Sequence, residues 1–160
     1  MRSLFVLYLI SCCNNSFAQN HFRKNTVYAE FGGNGIDWSA NYERQLGEKP
    51  GLGIRAGIGY ASSTEEFRLS IPIGVNYLFD ISHQRSFFET GLGVTWAEEN
   101  IWKTSFQGPS STTYEAGFFP SAGYRHQTPY GLMWRVDYTP FFTRHRVDPL
   151  FIGLSAGWSF

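Results

Sequence analysis

The sequence predicts an all-β fold: an eight-stranded antiparallel up-and-down β-barrel of the transmembrane kind. Three observations lead there. Apolar and polar residues alternate with period two through eight segments, each near the roughly 9–11 residues that a tilted membrane strand needs. The apolar face so defined carries no charge and ends in Tyr or Trp at both heights, whereas the opposite face gathers acids, arginines, glycines and serines. Charged residues are only 16% and aromatics 18%, with 17 glycines, a balance that favours many short strands over helices. Formal charge is balanced, so no basic surface invites a nucleic-acid partner. The body lacks the run of about eighteen apolar residues that a spanning helix requires, a criterion that barrel strands escape.

The start of the chain reads as a targeting segment. Arg2 supplies the positive end, "LFVLYLI" (Leu4–Ile10) the apolar core, and Ser16, Phe17 and Ala18 a small-residue cleavage site before Gln19. Residues 1–18 are therefore expected to be a signal peptide and 19–160 the barrel domain. The competing reading takes "LISC" (Leu9–Cys12) as a lipoprotein signal, although its apolar stretch is short for one. Both cysteines, Cys12 and Cys13, fall in the removed segment. Disulfides, thiolate metal sites and cysteine nucleophiles are then excluded.

The strands are expected at 26–33, 36–45, 51–60, 68–79, 86–97, 113–125, 131–142 and 149–160. Turn-forming residues separate them: Asn34-Gly35, "GEKP" (47–50), "DISHQR" (80–85), "QTPY" (127–130) and "RHRVD" (144–148). With an even strand count and a periplasmic start, the turns at 47–50, 80–85 and 127–130 lie on the periplasmic side. The connections at 34–35, 61–67, 98–112 and 143–148 lie outside the cell.

The orientation of the two faces separates a membrane barrel from a soluble one. The uncharged face includes Trp38 and Tyr42, Ile54 and Tyr60, Ile73 and Tyr77, Val94 and Trp96, Tyr124, Tyr138, Leu154 and Trp158. A soluble carrier would turn these inward, but its interior has no reason to set aromatics at both ends of every strand. Two aromatic girdles are what amphipathic rings form at two lipid–water interfaces. The glycines accompany the charges, as a narrow eight-stranded interior requires. The last strand, "LFIGLSAGWSF", must pair with the first, since an open edge in hydrocarbon strands its backbone groups.

The signal peptide, the eight amphipathic strands and the terminal "GLSAGWSF" resemble small outer-membrane β-barrel proteins of Gram-negative bacteria. "GLGIRAGIGY" and "RLSIPIGVNYLF" likewise resemble strands of proteins known only as outer-membrane β-barrels. The resemblance implies residence in the outer membrane, with its lipids and lipopolysaccharide as surroundings. It also implies recognition by the barrel-assembly machinery of the C-terminal aromatic, here Phe160, with Trp158 on the same face. One departure stands out. Pro72, Pro120 and Pro140 fall inside strands, where each deletes a ladder donor, so bulges or shortened strands are expected.

The inward charges are the most chemical feature. Glu43, Arg55, Glu89, Arg125 and Arg135 are expected toward the periplasmic end; Glu30, Arg68, Glu115 and Asp137, with Asp37, toward the outer end. Mixed signs at close quarters form a plug of ion pairs, while an ion or proton path is the alternative. An eight-stranded barrel has little room beyond its side chains, which favours the plug. The long connection 98–112 is the place to seek binding, with Trp102, Lys103 and Phe106 as anchors. Arg144 and Arg146 offer a basic turn to lipopolysaccharide phosphates.

Small outer-membrane barrels include lipid A deacylases and acyltransferases, so an enzyme is the rival class. The deacylase pattern wants Ser two residues after His, and none of His21, His83, His126 or His145 has it. His145 and Asp148 share an outer loop, and Ser62, Ser63, Ser110 and Ser111 lie in others. No metal-ligand spacing occurs. The expectation is a monomeric, non-catalytic barrel without a cofactor, serving a structural or surface-interaction role.

Overall fold

The computed structural model describes residues 22–63, 66–98, 114–144 and 147–160, which form an all-β structure. Its strands are β1 (Asn25–Gly32), β2 (Trp38–Gln45), β3 (Leu52–Ser63), β4 (Glu66–Ser82) and β5 (Ser86–Glu98), then β6 (Tyr114–Gln127), β7 (Leu132–Tyr138), β8 (Phe141–Phe142), β9 (Val147–Asp148) and β10 (Ile152–Ser159). All pairings are antiparallel, and β10 pairs with β1 from Thr26↔Ser159 to Gly32↔Gly153. The sheet is therefore a closed up-and-down barrel of eight staves, with β7–β8 as the seventh and β9–β10 as the eighth. Even the chain end belongs to the wall. Phe160 N–H donates to the Asn25 carbonyl at 2.8 Å, and Asn25 N–H to the Phe160 carbonyl at 3.1 Å.

Register partners traced from Glu30 reach Ala97 in one direction and Phe87 in the other, through Ser39, Gly59 and Ser70, and through Ser155, Arg135 and Arg125. The two ends lie ten residues apart on β5 (97 against 87). That stagger is what tilts the strands and fixes the bore.

Strand pleating sends alternate side chains to opposite faces. Ile54, Ile73, Val94 and Leu154 are 41–54% exposed on the outside, while Arg55 and Glu89 are 5% and 2% exposed within. The apolar face points out and the charged face in.

Two local expectations need correction, and one expected turn takes an inward course. The Asn34-Gly35 turn does not project away from the barrel end. Gly33–Gly35 form one 3-10 turn, all three residues buried, folded over the bore. Ser70 Oγ donates to the Gly35 carbonyl at 3.0 Å, and Thr95 Oγ1 donates to the Asn34 carbonyl. The tip turns inward through Gly32 at φ 70° and Gly33 at φ 66°, and leaves Ile36 at φ 79°, a region β-branched residues avoid.

The prolines act differently from bulges at two of three places. At Pro72 the β3–β4 pairing pauses between Ala56↔Ile73 and Gly59↔Ser70, yet the register is the same on both sides. Pro120 keeps its register with Leu92 of β5. At Pro140 the long strand ends early, at Tyr138. There the register also slips: the two residues between Tyr138 and Phe141 lie opposite the three between Asp148 and Ile152.

The bore, finally, is not polar throughout. Phe22, Leu78 and Phe87 fill the end that carries the chain terminus Phe160, and Ala97, Phe119 and Phe141, with Ile36 and Phe151, fill the other. Among the described residues, the buried charges occupy the middle layer.

Candidate functional site

The middle layer is built around two arginines that the ladder sets face to face. Arg125 of β6 and Arg135 of β7 are register partners with both side chains inward. Like charges so placed repel. The arrangement holds because two glutamates, one from across the bore and one from neighbouring β5, insert between them. Glu43 of β2 bonds Arg125 Nη1 at 2.5 Å and stands 3.7 Å from Arg135 Nη1. Glu89 of β5 accepts from Arg135 Nη1 at 2.9 Å and stands 3.6 Å from Arg125 Nη1. Each glutamate thus touches both guanidinium groups.

Arg135 is the hub. Its Nη2 donates to Glu30 Oε1 and to Ser155 Oγ, both at 3.1 Å. Its Nε makes ion-pair contact with Asp137 at 2.5 Å, without the angle of a hydrogen bond. Its Cζ lies 4.7 Å from the centroid of the Tyr28 ring, adding a cation–π contact. Amides and hydroxyls close the network. Asn76 donates to Glu89 at 2.9 Å, Gln45 to Glu43 at 3.0 Å, and Arg125 Nη2 to Thr26 Oγ1 at 2.8 Å. Glycines give these side chains room. A Cβ on Gly123 would run into the Asp137 carboxylate.

Of the residues the sequence singles out for the bore, the structure brings Glu30, Glu43, Glu89, Arg125, Arg135 and Asp137 into one cluster rather than two layers. Arg55 is buried beside it but, among the described residues, makes only a long bond to Ser121 Oγ, 3.5 Å, and its Nε has no partner there. Arg68 and Glu115 lie on β4 and β6, but their side chains fall outside the described residues, as do Trp102, Lys103, Phe106, His145 and Arg146. Trp158 and Phe160 are exposed on the outer face, 48% and 57%. Among the described residues, no group of three or more His, Cys, Asp or Glu side chains could hold a metal ion.

Neither protein-family models nor curated proteins match this chain.

Sequence reasoning missed one pair. Ser86 and His126 are register partners on β5 and β6, with Ser86 Oγ 3.1 Å from His126 Nδ1. The Tyr124 hydroxyl donates to Ser86 Oγ at 2.9 Å, and the His126 ring tilts over Trp134 at 5.8 Å. A search for His and Ser on one strand cannot find partners on two. Only the register could have revealed them.

Chemically, the cluster is a lock. Every guanidinium of the Arg125–Arg135 pair is met by carboxylates, and those side chains are at most 2% exposed. Moving any member of a buried network of this kind strands another.

Proposed function

We propose that the protein is an outer-membrane β-barrel whose bore is closed by the Arg–Glu lock. It is non-catalytic and acts structurally or through surface contacts made by its outer loops. The supporting observation is the outward apolar, aromatic-edged band on a closed barrel whose buried charges all lie in the bore; Arg44, near the end of β2, is exposed on the outer face. In this reading residues 1–18 direct export, and the assembly machinery reads Phe160 and Trp158. The monomer sits among outer-membrane lipids and lipopolysaccharide. Any recognition lies in the 98–112 connection with Trp102, Lys103 and Phe106, or in the basic turn of Arg144 and Arg146.

The test is depth-resolved quenching. In vesicles of phospholipid brominated along the acyl chains, the emission of outward-facing Trp38, Trp96, Trp134 and Trp158 is expected to fall strongly. Emission no more quenched than that of a soluble protein mixed with the same vesicles would end the membrane reading.

The Ser86–His126 contact favours a second reading, an acyl hydrolase, since a nucleophile needs a base within hydrogen-bond reach. Among the described residues, however, no carboxylate bonds His126 to orient it, and the Tyr124 proton occupies a Ser86 lone pair. Hydrolysis of a fluorogenic phospholipid ester is expected to be the same for the native chain and for Ser86→Ala. Turnover that disappears with Ser86→Ala would establish the enzyme instead.

A further inference from the structure

The ladder is interrupted between β6 and the β7–β8 stave. β6 pairs with β7 from Gln127↔Met133 to Ala122↔Tyr138 and with β8 at Phe118↔Phe142. The three intervening positions, 119–121 against 139–141, are unpaired. Pro120 and Pro140 stand opposite each other at the centre of this break. Thr139 N–H donates to the Phe151 carbonyl at 2.8 Å, away from β6. In an extended strand the neighbouring residue's polar groups point the other way, so Pro140 presents its backbone to β6, where its missing N–H matters. Pro149 adds to the break, because the register slip between β7–β8 and β9–β10 falls beside it.

Both sides of the break are apolar. Outside, Leu92, Phe118, Tyr138 and Phe142 surround it, all exposed. Inside, Phe119 and Phe141 stack at 5.6 Å, and Phe151 meets Phe141 edge-on at 5.4 Å. Two buried polar groups on this side of the bore have no partner among the described residues. The Thr139 hydroxyl is one, and the Asn34 side-chain amide, unmatched at both oxygen and nitrogen, is the other. Asn34 packs on Gly93, the register partner of Phe119.

We propose that this proline-paired seam is a lateral binding site for an acyl chain of a membrane ester lipid. The chain passes between β6 and the β7–β8 stave to lie on Phe119 and Phe141, and its ester carbonyl meets the donors of Thr139 and Asn34. The inference rests on the membrane placement proposed above. An acyl chain is the occupant that the surroundings select, since hydrocarbon is what reaches this band of the wall. An anionic headgroup would be repelled by the carboxylate-rich layer beneath, where four acids face three arginines among the described residues.

The experiment uses the full chain with Cys12→Ser and Cys13→Ser, carrying Phe118→Cys and Phe142→Cys. These outward register partners can be stapled by oxidation and released by reduction. The protein is placed in vesicles of phosphatidylcholine bearing a diazirine on one acyl chain, irradiated, and mapped by mass spectrometry. Reduced protein is expected to carry label on inward Phe119, Thr139 or Phe141 as well as on outward Ile54 and Val75. Stapling abolishes the inner label, keeps the outer one, and is reversed by reduction. Pro120→Ala with Pro140→Ala, which restores both N–H donors, reduces the inner label without any staple. Inner label that is absent, or indifferent to the staple, while outer label persists would overturn the site. Loss of inner and outer label together would overturn the membrane placement and the site with it.

Discussion

Replacing Arg135 by methionine is expected to cost about 3–5 kcal/mol of unfolding free energy, the usual consequence of removing one member of a buried ion network. The magnitude follows from what is stranded. Glu30, Glu89 and Asp137 each lose their nearest guanidinium contact, and all three are at most 2% exposed. Methionine fills much of the volume but offers no donors, so the carboxylates keep their desolvation penalty without its compensation. Arg55→Met is the internal control. Arg55 lies in the same layer but, among the described residues, holds only the 3.5 Å contact to Ser121, so its loss is expected to cost well under half as much. Urea unfolding in detergent, followed by tryptophan emission, measures both. A cost for Arg135→Met below about 1 kcal/mol, the range of exposed pairs, would show that water reaches the cluster and that the bore is not locked.

Gly157→Val is expected to prevent closure of the barrel. Gly157 of β10 pairs with Tyr28 of β1, and a Cβ there would collide with the Val27 carbonyl oxygen and the Tyr28 Cβ. Overpacking costs about 1–3 kcal/mol where side chains can yield. Here one obstacle is backbone, so no rotamer relieves it, and the pair is one of those that join the first stave to the last. The variant is expected to migrate as unfolded chain in unheated gel electrophoresis. Gly51→Ala is expected to keep the folded mobility, because its added Cβ meets nothing nearer than the Lys49 carbonyl at 3.8 Å. Folded mobility of Gly157→Val would mean that the β1–β10 seam is looser than its register implies.

The two substitutions probe different levels of legibility. That Arg135 and Gly157 face inward was readable from period two alone, because pleating fixes a side chain's face by its parity. The same rule located the eight staves within a few residues and identified the last as a wall strand. It could not tell that Arg125 and Arg135 are register partners, or that Glu43, 82 residues away from Arg125, would separate them. Ser86 and His126 were invisible for the same reason. The dipeptide Asn34-Gly35 announced a turn, but not its direction; the inward fold depends on contacts to Ser70 and Thr95 on other staves. Each proline was visibly short of a donor, yet nothing local showed that Pro120 and Pro140 would stand opposite one another. Leu78, Phe87, Phe119 and Phe141 shared the inward parity with the charges, and only packing revealed that they cap the charged layer at both ends.

By itself, then, the sequence determined the strands, the face each residue takes and the apolar exterior, because these follow from local pleating and from which side chains avoid water. Tertiary structure alone decided which inward residues meet. Eight ladders must close on one another with a fixed stagger, and that sum belongs to no single window of the chain.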